Sequence, residues 1–179
     1  MRIIAGTRKG ARIQTPGGRH TRPTSDRVRE AAFSLIGPLD GAEQVLDLFA
    51  GSGAMGLEAL SRGVQSAVFV DDDRTACLLI ERNALKLRFE RVRVVRTDAC
   101  EHAVSDARRG ARYDLVLIDP PYAMLDSVLD KLSAVLPRIV APAGLVLVES
   151  AAGQEPRVRM PCRVTRTYGD TRLSLYPHS

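Results

Sequence analysis

The sequence predicts an α/β fold with a mostly parallel sheet covered by helices on both faces. Three observations carry this. From Val45 onward, short apolar runs alternate with helical stripes. One of these runs, Tyr113-Asp114-Leu115-Val116-Leu117-Ile118, is apolar enough to be a fully buried strand. A three-glycine turn joins the first run to the first helix after it.

The elements follow in order. Arg2-Ile3-Ile4-Ala5 and Ala11-Arg12-Ile13-Gln14 are short β-like pieces with glycines and a lysine between them, which reads as a hairpin or extended arm. Thr24, Ser25 and Asp26 are N-cap candidates for a helix. Its stripe is Val28, Ala31, Ala32, Leu35 and Ile36, and it closes at Gly37-Pro38. Strands are expected at Val45 to Ala50, Ser66 to Val70, Val92 to Arg96, Tyr113 to Ile118 and Leu145 to Glu149. Helices are expected at Ala54 to Arg62, stopped by Gly63, at Arg74 to Leu87 and near Glu101 to Arg109. Leu125, Val128, Leu129, Leu132, Val135 and Leu136 form one further helical stripe. Two final strands, near Arg163 to Tyr168 and Leu173 to Tyr176, have no helical pattern between them and suit an antiparallel edge hairpin. The alternation implies right-handed βαβ units. Residues 1–40 are expected as an appendage on a domain spanning 41–179.

A length of 179 residues allows one domain with a substantial core. No apolar run is long enough to span a bilayer, and the N-terminus lacks a signal-peptide core. Cys77, Cys100 and Cys162 are an odd set without a C-x-x-C pair, so they read as reduced thiols of a cytoplasmic protein. His20, His102 and His178 stand singly, and no metal is assigned. The net charge of +5 concentrates near the start, in Arg2, Arg8, Lys9, Arg12, Arg19, Arg22, Arg27 and Arg29. A solvated positive face and a footprint for a phosphate backbone both fit that cluster.

Asp47-Leu48-Phe49-Ala50-Gly51-Ser52-Gly53-Ala54-Met55-Gly56 places G-x-G-x-x-G between a strand and a helix, the context in which glycines let a ligand approach the backbone. Asp71 ends the second strand, where a carboxylate can accept from two ribose hydroxyls. Asp72 and Asp73 are loop acids or a helix cap, with Asp72 close enough to join the site. Asp98, next to Ala99, follows the third strand and can face an adenine amine, cap a helix, or do both. The candidate cofactor residues are Phe49, Ala50, Gly51, Gly53, Asp71, Asp72, Asp98 and Ala99. To this point NAD and S-adenosylmethionine fit equally.

Asp119-Pro120-Pro121-Tyr122, after the fourth strand, favours the second. The prolines donate no N–H and end the ladder, which leaves a carboxylate, carbonyls and a ring at the sheet end. A core aromatic and a helix cap are the bland readings of Tyr122 and Asp119. A hydride-transfer site has no use for the set, whereas methyl transfer to a planar amine does. Hydrogen bonds from the amine to Asp119 and the Pro120 carbonyl favour the pyramidal nitrogen that exists only near the transition state. Tyr122 would stack on the base, which must first leave its helix.

Four blocks resemble one family in order: Arg22-Pro23-Thr24 with Asp26-Arg27-Val28-Arg29-Glu30, then Asp47 to Gly56, Asp119 to Tyr122, and Tyr168-Gly169-Asp170-Thr171-Arg172-Leu173. The chain resembles the bacterial 16S ribosomal RNA guanine-N2 methyltransferases of the small-subunit methyltransferase D type. The resemblance implies a class I, Rossmann-like methyltransferase fold with seven strands. It also implies S-adenosylmethionine as donor and a guanine N2 amine of 16S ribosomal RNA, within a small-subunit assembly, as acceptor. By this resemblance alone, Asp47 and Asp119 join the candidate cofactor residues. Asp119, Pro120, Pro121 and Tyr122 would meet the target, and Arg22, Pro23, Thr24, Arg27 and Arg29 would lie beside the site or touch RNA. That family usually has glutamate where Asp71 stands. The chain stops soon after Leu173, so no extra RNA-binding domain is expected, and a monomer is the simplest expectation. The rival readings are a DNA adenine-N6 or cytosine-N4 methyltransferase, a non-catalytic nucleic-acid-binding module on the same fold, and, more distantly, a dehydrogenase.

Overall fold

The computed structural model describes residues 1–15, 25–41 and 43–178. The first helix is α1 (Asp26–Ile36). The alternating elements are β1 (Gln44–Leu48), α2 (Ala54–Arg62), β2 (Ser66–Asp71), α3 (Arg74–Leu87), β3 (Val92–Arg96), α4 (Ala99–Arg109) and β4 (Tyr113–Ile118). Then come α5 (Leu125–Leu132), α6 (Leu136–Ile139), β5 (Val140–Ala151), β6 (Val164–Tyr168) and β7 (Thr171–Pro177). The strands form one sheet in the order β3-β2-β1-β4-β5-β7-β6. β1 to β5 run parallel, while β7 pairs antiparallel with both β5 and β6. The order reverses between β1 and β4, the point at which open α/β sheets bind ligands.

Two apolar layers flank the sheet. One joins Leu57 and Leu60 of α2, Ile80 and Leu87 of α3, and Phe33 of α1. The other joins Ala103 of α4, Leu125 and Leu129 of α5, and Ile139 beyond α6's start. The N-terminal arm belongs to the first layer. Its two chain segments form a hairpin with one bridge, Arg2 to Arg12, and Ile3 and Ile13 are buried in the same core as α2 and α3. The hairpin and α1 therefore share the main core.

The cap of α1 is Ser25, whose Oγ accepts the Val28 N–H at 3.2 Å. Thr24 lies outside the described residues. The stripe read as one helix from Leu125 to Leu136 is divided in two, and a 3-10 turn at Tyr122–Met124 precedes it. Pro137 explains the division: it has no N–H to donate and its ring would meet the carbonyl of Ser133, so the chain restarts with proline in the first turn of α6. β5 begins earlier than its apolar run. Tyr113 pairs with Val140 but Leu115 pairs with Leu145, so the strand is irregular between them. Ala143 there has φ 62°, and a Cβ on Gly144 would stand 2.8 Å from the Ala141 carbonyl.

Candidate active site

The carboxyl ends of β1, β2, β3 and β4 meet at one edge of the sheet. Leu48 pairs with Val70 on one side and Ile118 on the other, so the turns after β1 and β4 are neighbours. The turn after β1 is built by backbone shape. Phe49, Gly51 and Gly53 have φ of 63°, 55° and 76°. At Phe49 that conformation is one that side-chain-bearing residues rarely adopt, as it is at Arg88 and Ala143. A Cβ on Gly51 would meet nothing within 4 Å, so the backbone there is open to an incoming group. Gly56 serves packing instead: a Cβ there would lie 2.3 Å from the Phe69 ring.

Several acids lie at and beside this turn. Asp47 is 3% exposed, and its Oδ2 accepts the Gly56 N–H at 2.9 Å. Burial pushes its carboxyl from 3.8 up to about 7, opposed by the Gly56 N–H and reinforced by the charges of Asp119 and Asp71. Asp71 accepts the Gly51 N–H at 2.8 Å and the Asp73 N–H at 3.0 Å. Burial raises its pKa, those two N–H groups oppose the rise, and Asp72 and Asp73 add to it. A carboxylate has about four lone-pair directions, so these bonds leave room for ribose hydroxyls. Asp73 caps α3 by accepting the Thr75 N–H at 2.7 Å, and Asp72 is exposed beside it. Asp98 caps α4, accepting the Glu101 N–H at 2.9 Å, with Ala99 buried behind it. A groove walled by Asp98, Glu101, Arg108 and Lys131 opens there.

Asp119 is half-buried, Pro120 buried and Pro121 exposed. The Pro121 carbonyl accepts the Met124 N–H at 2.8 Å and so starts the 3-10 turn. Tyr122 is held at both ends. Its hydroxyl lies 3.2 Å from Thr171 Oγ1 and its carbonyl accepts from Gln154 Nε2 at 2.9 Å. The block from Tyr168 to Leu173 thus reaches the site through Thr171.

The model of a family described as conserved hypothetical protein 95 matches residues 1–177. The chain belongs to that family. It is 41% identical over 123 residues to the putative rRNA methyltransferase YlbH of Bacillus subtilis, covering 68% of this chain and 67% of the relative. It is 38% identical over 122 residues to the ribosomal RNA small subunit methyltransferase D of Escherichia coli K12, covering 68% of this chain but 60% of that relative. The solved structure of the putative methyltransferase yhhF from Escherichia coli superposes with a TM-score of 0.83 at 32% identity, covering 100% of this chain and 98% of that one. These family members bear out the resemblance carried by the four sequence blocks, and the fold is the class I methyltransferase fold.

Within this family member the basic N-terminal cluster is divided in role. Arg22, Pro23 and Thr24 lie outside the described residues, and Arg27 is exposed. Arg29, expected on the RNA-facing surface, is turned inward and 0% exposed. It donates to Asp26 at 2.9 Å and to the Arg2 carbonyl at 2.6 Å, and faces Glu58 at 3.8 Å. A buried guanidinium needs such partners, so this side chain secures the hairpin and is withdrawn from RNA. Glu58, also fully buried, accepts the Ile4 and Ala5 N–H groups at 2.8 and 3.0 Å. Sequence reasoning passed over Glu58; its signal was a carboxylate within an otherwise apolar α2. Among the described residues, no cluster of His, Cys, Asp or Glu is placed to hold a metal.

Proposed function

We propose that this protein transfers a methyl group from S-adenosylmethionine to the N2 amine of a guanine in 16S ribosomal RNA within a small-subunit assembly. The observation that carries the reading is the meeting of the glycine turn and Asp119-Pro120-Pro121-Tyr122 at the switch point of the sheet. The ribosomal RNA comes from the names of the relatives, one a putative rRNA methyltransferase and one a ribosomal RNA small subunit methyltransferase. The guanine amine comes from the sequence blocks.

The residues fit the donor. It is cationic at sulfur and at its amino group; burial raises the pKa of Asp47 and Asp71, and the charges of Asp119 and Asp71 add to the rise at Asp47, so a cation placed among these acids is favoured. Phe49, Ala50, Gly51 and Gly53 would pass along it, Asp71 and Asp72 would face its ribose, and Asp98 with Ala99 its adenine. When bound, it supplies an electrophilic methyl group. The chain's own residues do the rest. Asp119 and the Pro120 carbonyl hold the two amine N–H groups and direct the nitrogen lone pair. Tyr122, pinned by Thr171 and Gln154, offers a fixed face to a base lifted from its helix. The Arg22-Pro23-Thr24 block and Arg27 meet the RNA.

Incubation of labelled S-adenosylmethionine with undermethylated small subunits, naked 16S RNA and duplex DNA tests this. Label is expected in guanine N2 of the RNA, and Asp119→Ala should remove it. Label in DNA alone, or no difference between Asp119→Ala and wild type, would refute the proposal.

A further inference from the structure

Asn83 lies on α3, outside the candidate site, and is 1% exposed. A buried amide must find partners for one oxygen and two N–H groups. Oδ1 accepts the Gln14 N–H at 2.8 Å. Nδ2 donates to the Gln14 carbonyl at 2.9 Å and to the Ser52 carbonyl at 3.2 Å. The reversed amide would set its oxygen against two carbonyls, so these partners fix its orientation. Gln14 lies at the end of the hairpin, just before the stretch that carries Arg22-Pro23-Thr24. Ser52 lies between Gly51 and Gly53. One side chain therefore joins the arm to the glycine turn.

Among the described residues, the arm's other side-chain anchors do not touch that turn. Glu58 and Ser61 hold Ile4, Ala5 and Arg8 from α2, Arg8 Nε donates to the Leu87 carbonyl, and Lys86 Nζ donates to the Arg12 carbonyl. We propose that Asn83 is a positioning residue for the donor site, coupling the arm to the glycine turn so that contacts made by the arm change donor affinity. By linkage, donor binding then changes the arm's affinity for RNA by the same factor. The proposal rests on the reading that S-adenosylmethionine occupies the turn.

The test is calorimetric titration of S-adenosylmethionine into the full chain and four variants. Asn83→Ala is expected to weaken binding about tenfold, the factor for one lost buried hydrogen bond. Gln14→Pro removes the arm's N–H to Asn83 and also fixes φ at residue 14 and restricts Ile13, all remote from the turn, and is expected to weaken binding several-fold, roughly half that effect in free energy. In the double variant the two effects should not add. Lys86→Ala frees the arm at an anchor that does not reach the turn and should leave affinity unchanged. Wild-type affinity in Gln14→Pro, additive effects in the double variant, or an equal loss in Lys86→Ala would overturn the proposal. Should Asn83→Ala fail to fold, Gln14→Pro against Lys86→Ala decides. Hydrogen exchange of the unliganded chain separates this from the function itself. Gln14→Pro should speed exchange at the Gly53 amide, which donates to Ala50. Unchanged exchange there refutes the coupling, whereas a wild type that binds no S-adenosylmethionine refutes the proposed function.

Discussion

Replacing Asp47 with asparagine should flatten the pH dependence of stability. Asp47 is buried beneath the glycine turn, and its carboxyl titrates at about 7 in place of 3.8. Between those values the folded chain holds a proton that the unfolded chain has released. Stability therefore falls as pH rises through the window, is fully present below 3.8, and levels off above about 7. At about 1.36 kcal/mol for each tenfold change in proton affinity, the whole window corresponds to about 4 kcal/mol. Between about pH 5 and about pH 8, roughly 2.5 kcal/mol of it is exercised, or about 5–10 °C in Tm for a chain of this size. The assay is thermal unfolding of wild type and Asp47→Asn at both pH values, read as the difference between the two proteins. His102, which is not among the charges acting on Asp47, titrates alike in both and cancels in that difference. The variant carries a pH-independent penalty for its unpaired amide, so at pH 5 it is the less stable protein, and the gap should close or reverse at pH 8. A gap that stays constant with pH would refute the reasoning.

Three further outcomes are expected. Glu58→Ala removes the acceptor of the Ile4 and Ala5 N–H groups and the carboxylate facing buried Arg29, and should cost about 3–5 kcal/mol in urea unfolding. Gly56→Ala drives a methyl into the Phe69 ring and should cost about 1–3 kcal/mol, measured the same way. His102 is buried on α4 and its pKa is lowered by burial, with Asp106 opposing. The unfolded chain therefore takes up a proton first as pH drops below 6.5, and stability should fall there, an effect absent from His102→Leu in paired melts.

The order of elements was legible because short strand-like runs alternate with helical stripes; α2, α3, β3 and β4 have the bounds read from the sequence. Pro137 carried its own warning that the Leu125–Leu136 stripe would divide. The carboxylates at the strand ends were legible because a glycine turn and two prolines mark where the chain leaves the sheet. Arg29 was misplaced because a basic run looks alike whether its side chains face water or a buried acid. Its partner, Glu58, is far away in sequence, and no local pattern announces such a pairing. Asn83 stood between Ile80, Ala84 and Leu87 on the apolar stripe of α3, a polar residue in a buried position. That mismatch was the one local sign that the amide had partners elsewhere.

The placement of β7 between β5 and β6 has a consequence for synthesis. Phe33 and Ile36 of α1 share a core with Leu173 and Leu175 of β7, so a helix made before the sheet rests on a strand made after β1 to β6. The hairpin likewise waits for α2 and α3, whose residues hold it across separations of 53 to 79 positions. A chain still leaving the ribosome can close the β1-to-β4 half of the sheet while both of its ends remain unseated. Until β7 arrives, β5 presents an open edge to any neighbouring strand. The interval between the emergence of Val140 and Pro177 is thus one in which this protein is exposed to misassociation.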